Sequence, residues 1–306
     1  MDNSYQLIIV GGGPAGLSAG LYAARSRLHT LLIERVIPGG QIMNAELVEN
    51  YPGFPQGISG AELGSLMEQQ ARKYDLEVAM ADVEGVELGG EEKIVNTSEG
   101  QYRARALIIA GGSEHSKLGV PGEGELRGRG VSYCATCDGA FFKDQVVSVV
   151  GGGNVALNDA LFLTRFASKV IVIHRRDQLR ATKILQERAF AKPKLEFLWD
   201  TVVESIEGDS QVRELRLRNV KTKEESRLDV SGVFIAVGLS PNTGYLGGLL
   251  ALSPEGFILV NDQMETGVPG VFAAGDIRAG SARQIASAVG DGATAAISAE
   301  RFLAST

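Results

Sequence analysis

The chain has little cysteine, little histidine and no concentrated charge of one sign. Two cysteines among 306 residues cannot scaffold a disulfide-stabilised fold, and these two, Cys134 and Cys137, stand as one closely spaced pair. His29, His115 and His174 are the only histidines, and they fall in separate predicted elements. No second Cys-x-x-Cys and no Cys-x-x-His occurs, so the four ligands of a structural zinc site are not assembled and no metal is expected. The formal net charge is -7 without a long basic run, which argues against nucleic acid and acidic membranes as partners. Tyr22, Tyr51 and Phe54 are read as packing or cleft residues rather than stacking platforms for bases. No continuous apolar stretch of about 18 residues is present to span a bilayer. The chain enters a predicted strand within a few residues, with no basic region and apolar core ahead of it, so a cytoplasmic location is expected.

Glycine, by contrast, is abundant at 39 residues, and much of it falls at predicted strand ends. Gln6 to Val10 is an apolar run that predicts a buried parallel strand. Gly11-Gly12-Gly13-Pro14-Ala15-Gly16 follows, then a helix to about Arg25, then a strand from His29 to Glu34. Strand, glycine turn, helix, strand and terminal acid is the order of a dinucleotide-binding unit. Gly11 permits the tight turn, Gly13 lets a pyrophosphate approach the backbone, and Gly16 lets helix and strand pack closely. The helix N-terminus favours the negative charge, and Glu34 can accept hydrogen bonds from a ribose diol.

The order recurs. Gln145 to Val150 predicts a strand, Gly151-Gly152-Gly153-Asn154-Val155-Ala156 a second turn, and Asn154 to about Arg165 a helix. The next strand, Lys169 to Ile173, ends not in an acid but in His174-Arg175-Arg176, with Arg180 close behind. An acid there would repel a 2'-phosphate and a basic cluster would attract one, which favours NADP over NAD against the alternative of a solvated charge patch. Leu76 to Tyr102 and Leu195 to Asp229 alternate between glycine and polar turns, and each predicts a small antiparallel sheet. Phe257 to Val260 and Val271 to Ala274 predict strands, and Arg283 to Ala299 a helix of small residues. Lys117 to Gly130 and the turn at Pro241-Asn242-Thr243 read as crossings, so that one domain is interrupted by a copy of itself.

Between the two turns lies Cys134-Ala135-Thr136-Cys137-Asp138. A two-residue spacer lets two thiols close a small ring when the first sits at a turn or helix start. One turn for a flavin, one for a nicotinamide and a dithiol between them describe a path for electrons. Asp138 can be a helix cap or a proton donor and acceptor for the thiols.

Taken together these motifs resemble the low-molecular-weight bacterial thioredoxin reductases over nearly the whole chain. Gly11 to Leu17, Gly39-Gly40-Gln41, Glu49-Asn50-Tyr51-Pro52-Gly53 and Val271 to Asp276 are similar to that family's FAD motifs. Gly130 to Gly139, reading GVSYCATCDG, is similar to its redox segment, and Ala160 to Arg176 with Arg180 to its nicotinamide side. The resemblance implies an α/β fold of two Rossmann-like, three-layer ββα domains, with an NADPH domain at 118–244 inserted into a discontinuous FAD domain at 1–117 and 245–306. It implies a homodimer that reduces thioredoxin or a similar small dithiol protein with electrons from NADPH through FAD. A flavin dithiol reductase with another partner or donor, and a non-enzymatic nucleotide-binding module, are the competing readings.

The resemblance also distributes roles. Cys137 faces the flavin, Cys134 attacks the partner's disulfide, and Asp138 moves the proton. FAD contacts fall to Gly11, Gly13, Pro14, Ala15, Gly16, Glu34, Gly40, Gln41, Asn50, Ala110, Gly111, Gly112, Gly275, Asp276, Gln284 and Ile285. NADPH contacts fall to Gly151, Gly153, Asn154, Val155, His174, Arg175, Arg176 and Arg180. The sequence departs from the family at Ala110-Gly111-Gly112, where Ala-Thr-Gly is usual and Gly111 removes a hydroxyl, and at Val155-Ala156 and Asn158-Asp159, where Ser-Ala or Thr-Ala and two glutamates are usual.

Overall fold

A computed structural model describes residues 3–45 and 47–305. The chain divides into two compact units, Met1–Glu114 with Ser240–Thr306, and His115–Leu239.

The first unit is built on a parallel sheet. β1 (Ser4–Val10) lies between β2 (Thr30–Glu34) and the long β6 (Gly100–Ile109), parallel to both. Leu7, Ile8, Ile9 and Val10 are all buried, because both faces of this central strand are covered. Alternate side chains go to opposite sides. Leu7 and Ile9 join Leu32 and Ile108 under α1 (Pro14–Arg25) and the C-terminal helix Ile285–Ser305, whereas Ile8 and Val10 join Leu31, Ile33 and Ile109 on the other face. Small residues let the two helices approach: a Cβ placed on Gly292 would overlap the carbonyl oxygen of Ala15.

Two strands pair differently from their sequence-based expectation. The stretch from Leu76 does not form a separate antiparallel sheet. β3 (Glu77–Met80) adds in parallel to β2, while β4 (Val83–Glu87) and β5 (Lys93–Thr97) add antiparallel to the N-terminal half of β6. β6 is ten residues long and serves both neighbours, so one continuous sheet results. Phe257 to Val260 is not a strand either; Ile258 makes only isolated bridges, to Leu252 and Arg278. Val271–Ala273 does pair with β6, in parallel.

The second unit has three layers. Its central sheet is parallel, in the order Leu195–Leu198, Lys169–Ile173, Val146–Val150, Gly232–Ile235 and Val131–Ser132. Leu195–Leu198 was expected in the antiparallel insert; it instead extends the parallel sheet, and the insert consists of Thr201–Glu207, Glu214–Asn219 and Glu225–Asp229. Val147 and Val149 face the helix Asn154–Leu163 through Ala156, Leu157 and Ala160. Val150, Ile171 and Ile173 face the insert through Val203, Leu215 and Leu217. Both units are thus Rossmann-like α/β domains with one sheet face given to helices.

Candidate active site

In the first unit the glycine turn leaves room where an anion would sit and none elsewhere. Gly11 has φ +104°, and its N–H donates to the Ile33 carbonyl at 2.8 Å. A Cβ on Gly11 would stand 2.5 Å from the Ala110 oxygen, and one on Gly16 would overlap the oxygen of Gly11. A Cβ on Gly13 would meet nothing within 4 Å. α1 begins with Pro14, carries no acid in its first turn and has no side-chain cap, so its leading amides are open to an anionic group. Glu34 closes the turn from the neighbouring strand, accepting the Gly12 N–H at 2.7 Å and the Val36 N–H at 3.1 Å. These residues fit the pyrophosphate and ribose of a dinucleotide.

Several of the other residues expected on the flavin side pair with this turn or with one another. Gly39 N–H donates to the Gly12 carbonyl at 2.7 Å, and Gly40 lies against Gly13. Gln41 donates through its amide to the Ser113 carbonyl, and Asn50 donates to Gln284 Oε1 at 3.1 Å, just before Ile285 opens the C-terminal helix. Ala110 N–H donates to the Val10 carbonyl at 2.7 Å, which sets Ala110-Gly111-Gly112 at the same strand ends. The Tyr245 hydroxyl is buried beside Gly111 without a hydrogen-bond partner among the described residues. Gly275 lies against Ala15, and its N–H donates to Asp291 Oδ2 at 3.1 Å. Asp276 accepts from the Ser281 hydroxyl at 2.9 Å; burial raises its pKa above the ordinary carboxylate value. Sequence reasoning missed Asp291, which also takes Nε and Nη2 of Arg278 at 2.6 and 2.8 Å and so fixes the Gly275-Asp276 turn.

In the second unit the turn Gly151 to Gly153 repeats the design: Gly151 N–H donates to the Ile173 carbonyl at 3.0 Å, and the space beside Gly153 is open. Asn154 Oδ1 accepts the Thr182 N–H at 2.8 Å, and Val155 is exposed on the first helical turn. The basic cluster splits. Arg175, Arg176 and Arg180 line a cavity of about 520 Å³, and none of them makes an ion pair among the described residues. His174 does not line it. Its ring is buried under Gly152, and burial first, then the three arginines, lower its pKa, so it stays neutral. Three unpaired guanidiniums facing one cavity fit a 2'-phosphate. Lys221, from the antiparallel insert, lines the same cavity but is held by Asp177 and Asp200 at 3.0 Å each.

The dithiol sits in this second unit. Cys134 caps the four-residue helix Ala135–Asp138, and Cys134 and Cys137 form a disulfide, with Cα atoms 5.3 Å apart. Cys137 and Asp138 both donate their N–H to the Cys134 carbonyl, at 3.2 and 3.1 Å. Cys137 is exposed and Cys134 half-buried. Asp138 accepts the Ser132 hydroxyl at 2.6 Å; burial raises its pKa and this bond partly opposes the rise. Behind Cys134, Tyr133 donates its hydroxyl at 2.6 Å to the buried Glu123, which also takes the N–H groups of Leu118 and Gly119 at 2.9 and 2.7 Å. Ser132, Tyr133 and Glu123 were not singled out from the sequence. A hydroxyl two residues before the first cysteine was the available signal.

The chain matches the family model for pyridine nucleotide-disulphide oxidoreductases over residues 5–292. It is 51% identical over 303 residues to the thioredoxin reductase of Bacillus subtilis (strain 168), covering 99% of this chain and 96% of that protein. It is 50% identical to the thioredoxin reductase of Streptomyces coelicolor, over 99% of this chain and 95% of that one. The crystal structure of thioredoxin reductase from Streptococcus pyogenes MGAS5005 superposes with a TM-score of 0.95 at 48% identity, covering 100% of both chains.

Proposed function

The chain belongs to the pyridine nucleotide-disulphide oxidoreductase family as a low-molecular-weight, bacterial-type thioredoxin reductase, and we propose how its own residues carry that activity. It is an enzyme, a thioredoxin-disulfide reductase, in which electrons pass from NADPH through FAD and Cys134-Cys137 to thioredoxin. The observation that carries the assignment of residues is the disulfide Cys134–Cys137 beside a half-buried acid, on a chain with two open dinucleotide turns.

The turn Gly11 to Gly16 with Glu34 holds FAD by its pyrophosphate and ribose, and Gly40, Gln41, Asn50, Asp276, Gln284 and Ile285 orient it. When bound, FAD supplies the two-electron step between a hydride donor and sulfur. Gly151, Gly153, Asn154 and Val155 receive the NADPH pyrophosphate, and Arg175, Arg176 and Arg180 grip its 2'-phosphate. His174 supports the turn from beneath as a neutral ring. The dithiol and the arginines belong to one unit. Cys134 attacks the partner's disulfide and Cys137 resolves the mixed disulfide. Asp138, whose pKa burial raises above the ordinary carboxylate value, carries a proton between thiols. The working molecule is a homodimer.

Purified protein tests the flavin site: it should be yellow and release FAD on denaturation. Release of FMN, or no flavin uptake on reconstitution with FAD, would sink the assignment of Gly11 to Gly16.

A further inference from the structure

Ser132 ends the short strand Val131–Ser132 and is buried. Its Oγ touches three groups. It donates to Asp138 Oδ2 at 2.6 Å, accepts the Cys134 N–H at 3.0 Å, and lies 3.4 Å from the Cys134 carbonyl oxygen. A hydroxyl has one proton and two lone pairs, and its proton rotates. With Asp138 ionised, the hydroxyl proton faces the carboxylate. With Asp138 neutral, the carboxyl becomes the donor to Oγ, and the hydroxyl proton turns to the Cys134 carbonyl. The Cys134 N–H stays bonded throughout. Neither protonation state of this half-buried acid leaves its link to Ser132 unmade.

We propose that Ser132 is a positioning residue for Asp138, a rotating hydroxyl that keeps the acid hydrogen-bonded before and after it takes up a proton. The inference rests on the reading of Asp138 as the proton carrier. In the exchange it serves, Cys134 Sγ attacks one sulfur of the partner disulfide; a Cys134–partner bond forms and the partner's own S–S bond breaks. Cys137 Sγ then attacks Cys134 Sγ, forming the Cys134–Cys137 bond and releasing the second partner sulfur. Two electrons leave the enzyme's dithiol and reduce the partner. The two protons of the enzyme thiols end on the two partner sulfurs, and Asp138 takes the Cys137 proton and hands it on.

Few other ionisable groups face this acid. The helix Ala135–Asp138 packs against Asn154–Leu163 and the turn Gly139–Phe142, and the turn has no ionisable side chain. From the helix side, Asp159 and Arg165, with Lys192 beyond, line a cavity of about 430 Å³ shared with Thr136. On the redox segment itself the other ionisable side chains are the two cysteines and Tyr133, whose hydroxyl donates to Glu123. Burial and the Ser132 bond are the two influences on the pKa of Asp138, acting in opposite directions.

The test is the pH profile of a single turnover, mixing NADPH-reduced enzyme with oxidised thioredoxin, for wild type, S132A, S132T and D138N. Flavin content and thermal unfolding establish that each variant is folded. The rate should fall as pH drops through the Asp138 pKa, and D138N should lose that limb. The bond to the charged carboxylate is the stronger of the two, so losing the hydroxyl should move the limb in S132A upward by about one pH unit, roughly a tenfold slower rate below it. S132T should restore the wild-type limb. An S132A profile superimposable on wild type, with D138N flat, overturns the role of Ser132 and leaves that of Asp138. A D138N profile identical to wild type overturns the reading of Asp138 itself. Infrared titration of the carboxyl band that D138N lacks reads the same shift in the oxidised protein without turnover; an unmoved band in S132A also overturns the proposal.

Discussion

Replacing Arg175 and Arg176 by alanine should separate NADPH from NADH. Both side chains line the cavity beside the second glycine turn, and neither is engaged in an ion pair among the described residues. Their charges are therefore available to a ligand, and their loss removes little from the fold, within about 0.5 kcal/mol for an exposed substitution. A charge-assisted hydrogen bond to a phosphate contributes about 1.5–3 kcal/mol, or roughly ten- to a hundredfold in affinity for each contact. The double variant should thus raise the Michaelis constant for NADPH by at least about tenfold. NADH has no 2'-phosphate, so its constant should move by no more than about threefold, since the pyrophosphate site at Gly151 to Asn154 is intact. Steady-state rates with both nucleotides and saturating thioredoxin, alongside thermal unfolding, make the measurement. Equal losses for NADPH and NADH with an unchanged unfolding temperature would refute the phosphate grip.

Gly292→Ala should destabilise the first unit by about 1–3 kcal/mol or more, because its Cβ would overlap the Ala15 carbonyl where the C-terminal helix crosses α1; urea unfolding checks it, and an unchanged midpoint would show that the helices do not meet so closely. Burial raises the pKa of Asp159 to about 6. Between its unfolded value near 4 and that value the native state binds the extra proton, so stability falls as pH rises through this window and stays reduced above it. Asp159→Asn should therefore unfold at a higher temperature than wild type at neutral pH, by up to about 3 kcal/mol, and lose the advantage below pH ~4. An advantage equally large at low pH would exclude burial of the ionised carboxyl as its source.

Much of this fold is legible in the sequence because its nucleotide turns are local. Gly11 to Gly16 and Gly151 to Gly153 are contiguous, and the steric demand that fixes Gly11, Gly16 and Gly151 comes from the neighbouring backbone each must touch. Strand partners are another matter. Glu77–Met80 and Leu195–Leu198 are four-residue edge strands, and nothing within four residues says whether the neighbour runs parallel or antiparallel. Side-chain positions were legible where charge alone keeps them exposed, as with Arg175 and Arg176. They were not where burial decides. His174 stands beside two arginines in sequence yet packs under Gly152, and Lys221 reaches the same cavity from the antiparallel insert. Ser132 with Asp138, Glu123 with Tyr133 and Asp291 with Arg278 are paired only once the turns between them have folded.

The central claim is that electrons entering from NADPH leave through Cys134 and Cys137. Anaerobic titration of the purified protein with NADPH, followed by oxidised thioredoxin, tests it directly. NADPH should bleach the flavin absorbance and thioredoxin should restore it, with one thioredoxin disulfide reduced for each NADPH consumed. In the double variant C134S/C137S, NADPH should still bleach the flavin and thioredoxin should fail to restore it. Restoration by thioredoxin in the double variant at the wild-type rate would contradict the account.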